Sequence, residues 1–275
     1  MTGTLIKHEA LRTRGFLLVI AGIALVLALA GSLLAITGWP VLSEFGTALG
    51  LIGALGLLPA MQLAQAVDYW RSGYGRIGYF TQTLPVRGSR IYLARLAWAS
   101  VVLVAGLLAS VAIWAIVVVA SAESLFGMSP SALLGQIGEV ISGAFAANPW
   151  LTAVGAPLLL MVLYGYSTVL YFCAASVGSE PWLQRLGWGG PVLLWFLLYA
   201  AMQLVMFAFV LAVPFGLGVT PAGDFGLVSA DLLGAMLSGT EPQLMPLGFA
   251  VAMAIAIPVL IWRTARSWDR KVSLA

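Results

Sequence analysis

Residues 16–36 read FLLVIAGIALVLALAGSLLAI, a stretch without Asp, Glu, Lys, Arg or His. A helix of about 20 apolar residues is long enough to cross the hydrocarbon core of a bilayer. Five further uncharged stretches have a similar length, at residues 45–67, 96–120, 151–177, 191–213 and 244–262. Because backbone amides and carbonyls cannot stay unpaired in lipid, each stretch is predicted to be a transmembrane helix. The sequence therefore predicts an all-α integral membrane protein with six transmembrane helices in a single domain, residues 1–275.

The composition supports a surface that faces lipid. Only 8% of the residues are charged, while 61% are hydrophobic. A soluble domain carries about 25% charged residues, because its surface faces water. The single cysteine, Cys173, excludes a disulfide framework within the chain and a multi-cysteine metal site.

The basic residues alternate with the predicted helices. They lie in the N-terminal segment, in the connections after the second and fourth stretches and in the C-terminal tail, at Lys7, Arg12, Arg14, Arg71, Arg76, Arg87, Arg90, Arg95, Arg185, Arg263, Arg266, Arg270 and Lys271. The other connections carry acids and no basic residue. The positive-inside rule therefore predicts cytoplasmic termini and a multi-pass cell-membrane protein. Since 11 of the 13 basic residues are Arg, we expect a bacterial inner membrane.

The connection between the third and fourth stretches predicts an outer interfacial helix. Ser129 is suited to cap a helix whose first residue is Pro130. Apolar residues at helical spacing follow, from Leu133 to Phe145. This pattern predicts a helix that lies along the outer membrane surface, or caps the bundle, and ends near residues 148–149.

The connection between the fifth and sixth stretches allows two interpretations. Residues 214–242 mix Gly and Pro with a short apolar run, Leu232–Leu237, and Ser229 is the expected start of that run. The segment either dips back toward the membrane or forms a surface loop.

The sequence lacks the residues that several kinds of chemistry require. The two lysines, Lys7 and Lys271, follow Ile6 and Arg270, so the chain has no phosphate-binding loop of the Walker type. The predicted spans hold no ionisable side chain for proton coupling, although sodium coupling through carbonyls and hydroxyls stays open. The single histidine, His8, has no catalytic constellation around it in the sequence. We therefore predict that the chain is not an enzyme and holds no metal.

The longest connection on the basic side carries a family resemblance. Residues 67–95 read VDYWRSGYGRIGYFTQTLPVRGSRIYLAR. This segment resembles the corresponding connection of ABC-2-type permeases, the membrane subunits of a large class of ATP-binding-cassette transporters. TLPV at residues 83–86 matches the family signature, Asp68 and residues 71–73 match its charged segment, and Arg95 stands where the family has Lys or Arg. Many members have Glu where this chain has Asp68. The basic N-terminus, the six spans and the enlarged outer connection also match.

The resemblance implies a short coupling helix, about residues 74–82, that docks on an ATPase subunit. Pro85 turns the chain after that helix, and aromatic and Arg side chains are favoured interface anchors. The implied ATPase-coupling residues are Arg71, Tyr74, Arg76, Tyr79, Phe80, Thr83, Leu84 and Pro85. The competing interpretation places these side chains among lipid headgroups. Residues 1–15 would form the family's elbow helix.

The resemblance also implies a pathway between two six-helix halves, lined chiefly by the second and fifth helices. The implied lining residues are Gln62, Gln65, Gln203 and Met206, although hydrogen bonding between helices is a sufficient reason for the three amides. Small residues repeat along the second helix and predict close helix packing there, at Gly46, Gly50, Gly53 and Gly56.

These expectations define a permease subunit that forms the pathway with a second permease, identical or homologous. Two cytosolic ATPase subunits would bind ATP and Mg²⁺, and an amphipathic or peptide-like molecule would be exported. This chain itself would bind no cofactor and no nucleic acid, with membrane lipid around it. The alternatives are an ion-coupled or passive carrier and a non-transporting scaffold subunit.

Overall fold

The computed structural model of the protein describes residues 2–75, 78–83, 85–220, 225–229, 231–239 and 244–270. Its helices and strands, in chain order, are α1 (Thr2–Ala35), α2 (Pro40–Gly73), α3 (Gly78–Gln82), α4 (Gly88–Ala120), α5 (Ala122–Phe126), α6 (Pro130–Ala147), α7 (Ala156–Val177), α8 (Gly189–Ala212), β1 (Phe215–Val219), β2 (Phe225–Ser229), α9 (Leu232–Ser238), β3 (Leu244–Pro246) and α10 (Gly248–Arg270). A π-helical turn, Leu151–Gly155, leads into α7.

Six helices in the described part of the chain are long and apolar enough to cross a membrane: α1, α2, α4, α7 with its π-helical turn, α8 and α10. The predicted set of six membrane-spanning candidates is therefore present. Several boundaries differ from the prediction. α2 extends beyond both ends of its predicted span, and α4 begins at Gly88 rather than near residue 96. The sixth helix begins at Gly248 rather than near residue 244. The first helix starts at Thr2, so residues 2–15 are its first turns and not a separate elbow helix. No proline interrupts this stretch, and the helix continues into the apolar span.

The helices form two compact units. The first unit comprises the chain up to Arg71 together with Arg90–Val140, and it contains α1, α5 and most of α2 and α4. Its core is a cluster of buried apolar side chains, at Leu17, Ala24, Ala28, Ala54, Leu57, Met61, Val102, Ile113 and Val117. Small residues dominate where α1 meets α2, which allows the two backbones to approach closely.

Glycine residues allow the backbones of α1 and α2 to approach closely, as predicted. A Cβ atom at Gly53 would lie 2.6 Å from the carbonyl oxygen of Ala24, and one at Gly46 would lie 2.6 Å from the backbone nitrogen of Ala35. The backbone of Gly50 lies against Gly31 of α1, and a Cβ atom at Gly50 would lie 2.8 Å from the side chain of Val117 in α4. Gly56 departs from the prediction, because a Cβ there would meet nothing within 4 Å.

The predicted helix after Ser129 is present as α6. The Ser129 hydroxyl oxygen accepts a hydrogen bond from the backbone nitrogen of Ala132 at 3.3 Å, which is the expected cap. Leu133 is buried with Val118 and Ala122 in a small apolar cluster of the first unit. α6 ends at Ala147, one residue before the predicted end. Its position along the membrane surface stays a prediction.

The second unit comprises Ser72–Ser89 and Ile141–Ala275. Here α7 packs on α10, and α8 packs on both. The apolar core of this unit includes Tyr166, Leu170 and Met253, with partly buried side chains of α8 packed against them. Asn148 begins the α7 segment, since its side-chain oxygen accepts a hydrogen bond from the backbone nitrogen of Leu151 at 3.2 Å.

A small antiparallel sheet joins α8 to α10, so the chain is not entirely α-helical. Its strand order is β2-β1-β3. Leu217 of β1 is opposite Leu227 of β2 and Met245 of β3. The two interpretations of this connection were a return to the membrane and a surface loop, and neither included strands. The strands are short and contain several glycines, which weakens a propensity-based prediction of β-structure.

α9 begins later than predicted. Ser229 is the last residue of β2, and the helix is capped by Asp231, whose carboxylate accepts a hydrogen bond from the backbone nitrogen of Gly234 at 2.8 Å. An ionised Asp at the cap satisfies a free amide and favours the positive end of the helix dipole. Asp231 is therefore a capping residue, and it precedes the apolar run.

The candidate coupling segment and its ion-paired surroundings

The segment that connects α2 to α4 folds back on the end of α2. α2 continues to Gly73, past the predicted end of its apolar span. The hydroxyl of Thr81 in α3 donates a hydrogen bond to the backbone oxygen of Ser72 at 2.9 Å. A Cβ atom at Gly78 would lie 2.5 Å from the backbone oxygen of Gly73, so only glycine fits this close approach. The predicted coupling helix is thus shorter than expected, since it begins at Gly78 rather than near Tyr74.

The same segment is attached to the last turn of α10. The ring of Tyr74 contacts the ring of Trp268 edge-on, with 5.4 Å between their centroids. The backbone nitrogen of Ser89 donates to the Asp269 carboxylate at 2.8 Å. A Cβ atom at Gly88 would lie 2.5 Å from the backbone oxygen of Trp268. Residues 72–89 therefore pack with the second unit, although most of the flanking helices α2 and α4 belongs to the first unit.

The predicted coupling residues differ in exposure. The Tyr79 side chain is 56% exposed on α3, and the side chains of Arg71, Thr83 and Pro85 are also exposed. Tyr74 is only half-exposed, because its ring packs against Trp268. It is therefore part of the attachment to α10, and its coupling role stays a prediction.

Three predicted coupling residues fall wholly or partly outside the described structure. Phe80 belongs to α3, but its side chain is outside the described part. Arg76 and Leu84 lie outside the described residues altogether. Their proposed roles stay predictions from the resemblance.

The four candidate pathway residues divide between the two units. Gln62 and Gln65 of α2 are buried inside the first unit. Gln203 of α8 is exposed on the second unit, and Met206 is partly buried against the core of that unit. Of the four, only Gln203 presents a polar group on the surface of its own unit.

An ion network joins three helices of the first unit. Arg12 of α1 binds Asp68 of α2 with both guanidinium nitrogens, Nη1 to Oδ1 at 3.1 Å and Nη2 to Oδ2 at 2.7 Å. Arg12 also pairs with Glu9, one turn earlier. The Arg95 Nε atom of α4 lies 3.8 Å from the Glu9 carboxylate. Arg95 is buried, and its guanidinium lies over the ring of Tyr69 at 5.6 Å.

This network includes two of the positions that carry the family resemblance, Asp68 and Arg95. Sequence reasoning placed them on the basic side but did not pair them. The one local signal was the three-residue spacing of Glu9 and Arg12, which puts them on the same face of a helix. The pairing of Arg12 with Asp68, 56 residues apart, had no such signal.

A second ion pair lies in the second unit and joins the end of α7 to α10. Glu180 follows α7, and its side chain is only 2% exposed. The Arg263 Nη2 atom of α10 donates to Glu180 Oε1 at 2.7 Å, and the Ser267 hydroxyl donates to the same oxygen at 2.9 Å. The Trp182 indole donates to Oε2 at 3.3 Å. A buried carboxylate needs such partners because removal from water is costly. Sequence reasoning missed this cluster.

The described residues contain no group of three or more His, Cys, Asp or Glu side chains arranged to hold a metal ion. Comparison of the chain with protein-family models, with curated proteins and with solved structures finds no match.

Proposed function

We propose that this chain is the permease subunit of an ATP-binding-cassette transporter and that residues 72–89 couple it to a separate ATPase. The observation that carries this proposal is the two-sided character of the segment. Its inner side is attached to α10 through Tyr74 and Ser89. Its outer side presents Tyr79, an aromatic anchor of the kind that is enriched at protein interfaces.

This arrangement suits the transmission of force. A partner that binds α3 displaces a short helix that is attached to α10 by a ring contact, a hydrogen bond and a close backbone approach. A displacement of α3 is therefore carried into the α10 helix, as in a rigid-body transition. A segment that only held the chain to lipid headgroups would not need this attachment, so the geometry favours coupling over lipid anchoring.

The energy source is assigned to another chain because this sequence has no phosphate-binding loop. Two cytosolic ATPase subunits would bind ATP and Mg²⁺, and a second permease, identical or homologous, would complete the pathway. The basic side of the chain, which includes residues 72–89, would face the cytoplasm of a bacterium. The direction proposed is export of an amphipathic or peptide-like molecule.

The pathway is proposed to involve α8 through Gln203 and Met206. Exposed amide groups are costly in hydrocarbon, so Gln203 is expected to face a polar pathway or another protein surface. Gln62 and Gln65 are buried among the helices of the first unit. Their participation in the pathway would require α2 to rearrange.

The proposal is tested by purifying the tagged chain from its native membranes in lipid nanodiscs and identifying the proteins that accompany it by mass spectrometry. We expect an ATPase with a Walker motif in amounts comparable to the permease. We also expect that the chain hydrolyses no ATP when it is purified alone. Recovery without an ATPase, together with uptake or release driven by an ion gradient in vesicles containing only this chain, would identify an ion-coupled carrier instead.

A further inference from the structure

The sheet between α8 and α10 has two unlike faces. Side chains alternate between the faces of a strand, and in β1 the even positions, Gly216 and Gly218, are buried. Gly226 of β2, opposite Gly218, is buried as well. The Leu244 side chain lies so close to Gly216 that a Cβ atom there would overlap it. The glycine face is therefore turned toward the rest of the unit.

The opposite face is largely apolar and partly to fully exposed, with the polar Ser229 at one edge. Leu217 lies at its centre, between Leu227 on one side and Met245 on the other. Leu227 is 61% exposed and Met245 is 47% exposed. Phe215 and Val219, at the two ends of β1, are also exposed. The row of apolar side chains crosses all three strands, and none of these residues is charged. An exposed apolar surface of this kind indicates a binding surface.

The sheet is attached directly to two candidate membrane spans. Two residues separate α8 from β1, and one residue separates β3 from α10. The helix ends touch, because a Cβ atom at Gly248 would overlap the backbone oxygen of Phe209. The backbone nitrogen of Leu247 also donates to the Phe215 oxygen at 3.0 Å. α8 has 24 residues, so its length of about 36 Å only slightly exceeds a hydrocarbon core of about 30 Å. The strands therefore start at the membrane interface.

We propose that the apolar face of this sheet binds lipid, in the leaflet opposite the chain termini. The face is formed by Phe215, Leu217, Val219, Leu227 and Met245. The charge pattern favours lipid over an acidic or basic partner, since no Lys or Arg occurs between Arg185 and Arg263 and the face itself has no charge. The inference concerns this surface alone and does not depend on the proposed function.

The backbone limits how deep the sheet lies. Among the described strands, β2 and β3 each pair only with β1, so each has an outer edge. Unpaired edge amides and carbonyls are not tolerated in the hydrocarbon region. The sheet therefore lies at the boundary between headgroups and acyl chains, with its apolar side chains in the acyl layer and its edges near water. In this position it holds the ends of α8 and α10 at a fixed depth.

The test uses single-cysteine variants in a Cys173→Ser background, labelled with an environment-sensitive nitrobenzoxadiazole fluorophore and reconstituted in phosphatidylcholine vesicles. Leu227→Cys reports on the apolar face. Val228→Cys is the matched control, because the adjacent residue of the same strand points to the opposite face. Met245→Cys reports on the same face from β3 and keeps the test valid if the β2 variant fails to fold.

We expect lipids with a nitroxide near the top of the acyl chain to quench the labels at 227 and 245 about twofold or more relative to position 228. Quenching at 227 and 245 by aqueous iodide but not by these lipids would overturn the proposal, because the face would then lie in water. Energy transfer between labels on different copies, without lipid quenching, would also overturn it and assign the face to a second copy of the chain.

Discussion

Charged side chains stabilise the two units in different ways. In the first unit the Arg12 side chain is 34% exposed and its partner Asp68 is 26% exposed, so water screens their interaction. In the second unit Glu180 is 2% exposed and depends on Arg263, Ser267 and Trp182 for its hydrogen bonds. The first unit is also stabilised by the close backbone contacts at glycines of α1 and α2.

This difference predicts how much stability each unit loses when one of its ion pairs is removed. A surface ion pair contributes about 0–1 kcal/mol, so the Arg12–Asp68 pair contributes little to the stability of the first unit. A buried carboxylate that loses its cation keeps its desolvation cost, and loss of one partner of a buried pair costs about 3–5 kcal/mol. Glu180 of the second unit is therefore more sensitive to the loss of its cation than Asp68 of the first unit.

Arg263→Ala is the change with the largest expected effect. It leaves Glu180 buried without its cation, and we expect a loss in the free energy of unfolding of about 3–5 kcal/mol. Arg266→Ala is the control, since it removes the same charge one turn later from an exposed Arg that stacks on Trp262 at 5.5 Å. We expect this control to cost about 0.5–1 kcal/mol. Thermal unfolding of the purified variants in one detergent measures both, and equal losses would contradict the contrast between the units.

Gly53→Ala tests the packing of the first unit. The new methyl group would lie 2.6 Å from the Ala24 carbonyl oxygen, and such overpacking costs about 1–3 kcal/mol. Gly56→Ala is the matched control on the same helix, because its methyl group meets nothing within 4 Å. Its expected effect is neutral or stabilising by up to about 1 kcal/mol, from the higher helix propensity of Ala. If both variants unfold at the same temperature, close packing of α1 on α2 does not stabilise the unit.

Asp68→Asn should have the smallest effect of the three. It weakens the exposed pair with Arg12, and we expect a loss of about 1 kcal/mol or less that shrinks further at high salt. The loss from Arg263→Ala should change little with salt, because Glu180 is shielded from solvent. Unfolding curves at low and high sodium chloride compare the two variants. A loss above that of Arg263→Ala would place the more important ion pair in the first unit.

The sequence was informative wherever structure depends on near neighbours in the chain. The six apolar stretches, the Ser129 cap and the glycine spacing of α2 all involve residues within a few turns of one another, and each was found in the structure. The first helix and α10 show the limit of this reasoning. Their boundaries depend on where the chain next packs, which a count of apolar residues does not give.

The ion pairs between helices join residues that are distant in the chain. Glu180 and Arg263 are 83 residues apart, and no local pattern links them. β1 pairs with both β2 and β3. The three central positions of this five-residue strand are Gly216, Leu217 and Gly218, whose low β-propensity does not indicate a strand. The candidate coupling site was predicted from the resemblance. Its attachment to Trp268 and Asp269 was not predicted, because those residues lie almost 200 positions away in the chain.

Replacement of Tyr79 tests the central claim most directly. Tyr79→Ala removes an exposed aromatic anchor from α3 and leaves Tyr74 and Ser89, which attach the segment to α10, unchanged. Tyr79→Phe keeps the ring as a control. The measurement is the amount of ATPase recovered with each tagged variant from native membranes, at matched permease expression and unchanged lipid composition. We expect about tenfold weaker association for Tyr79→Ala, since a well-buried anchor contributes one to a few kcal/mol, and near-normal recovery for Tyr79→Phe. Full recovery of the ATPase with Tyr79→Ala, together with normal transport, would contradict the assignment of residues 72–89 to coupling.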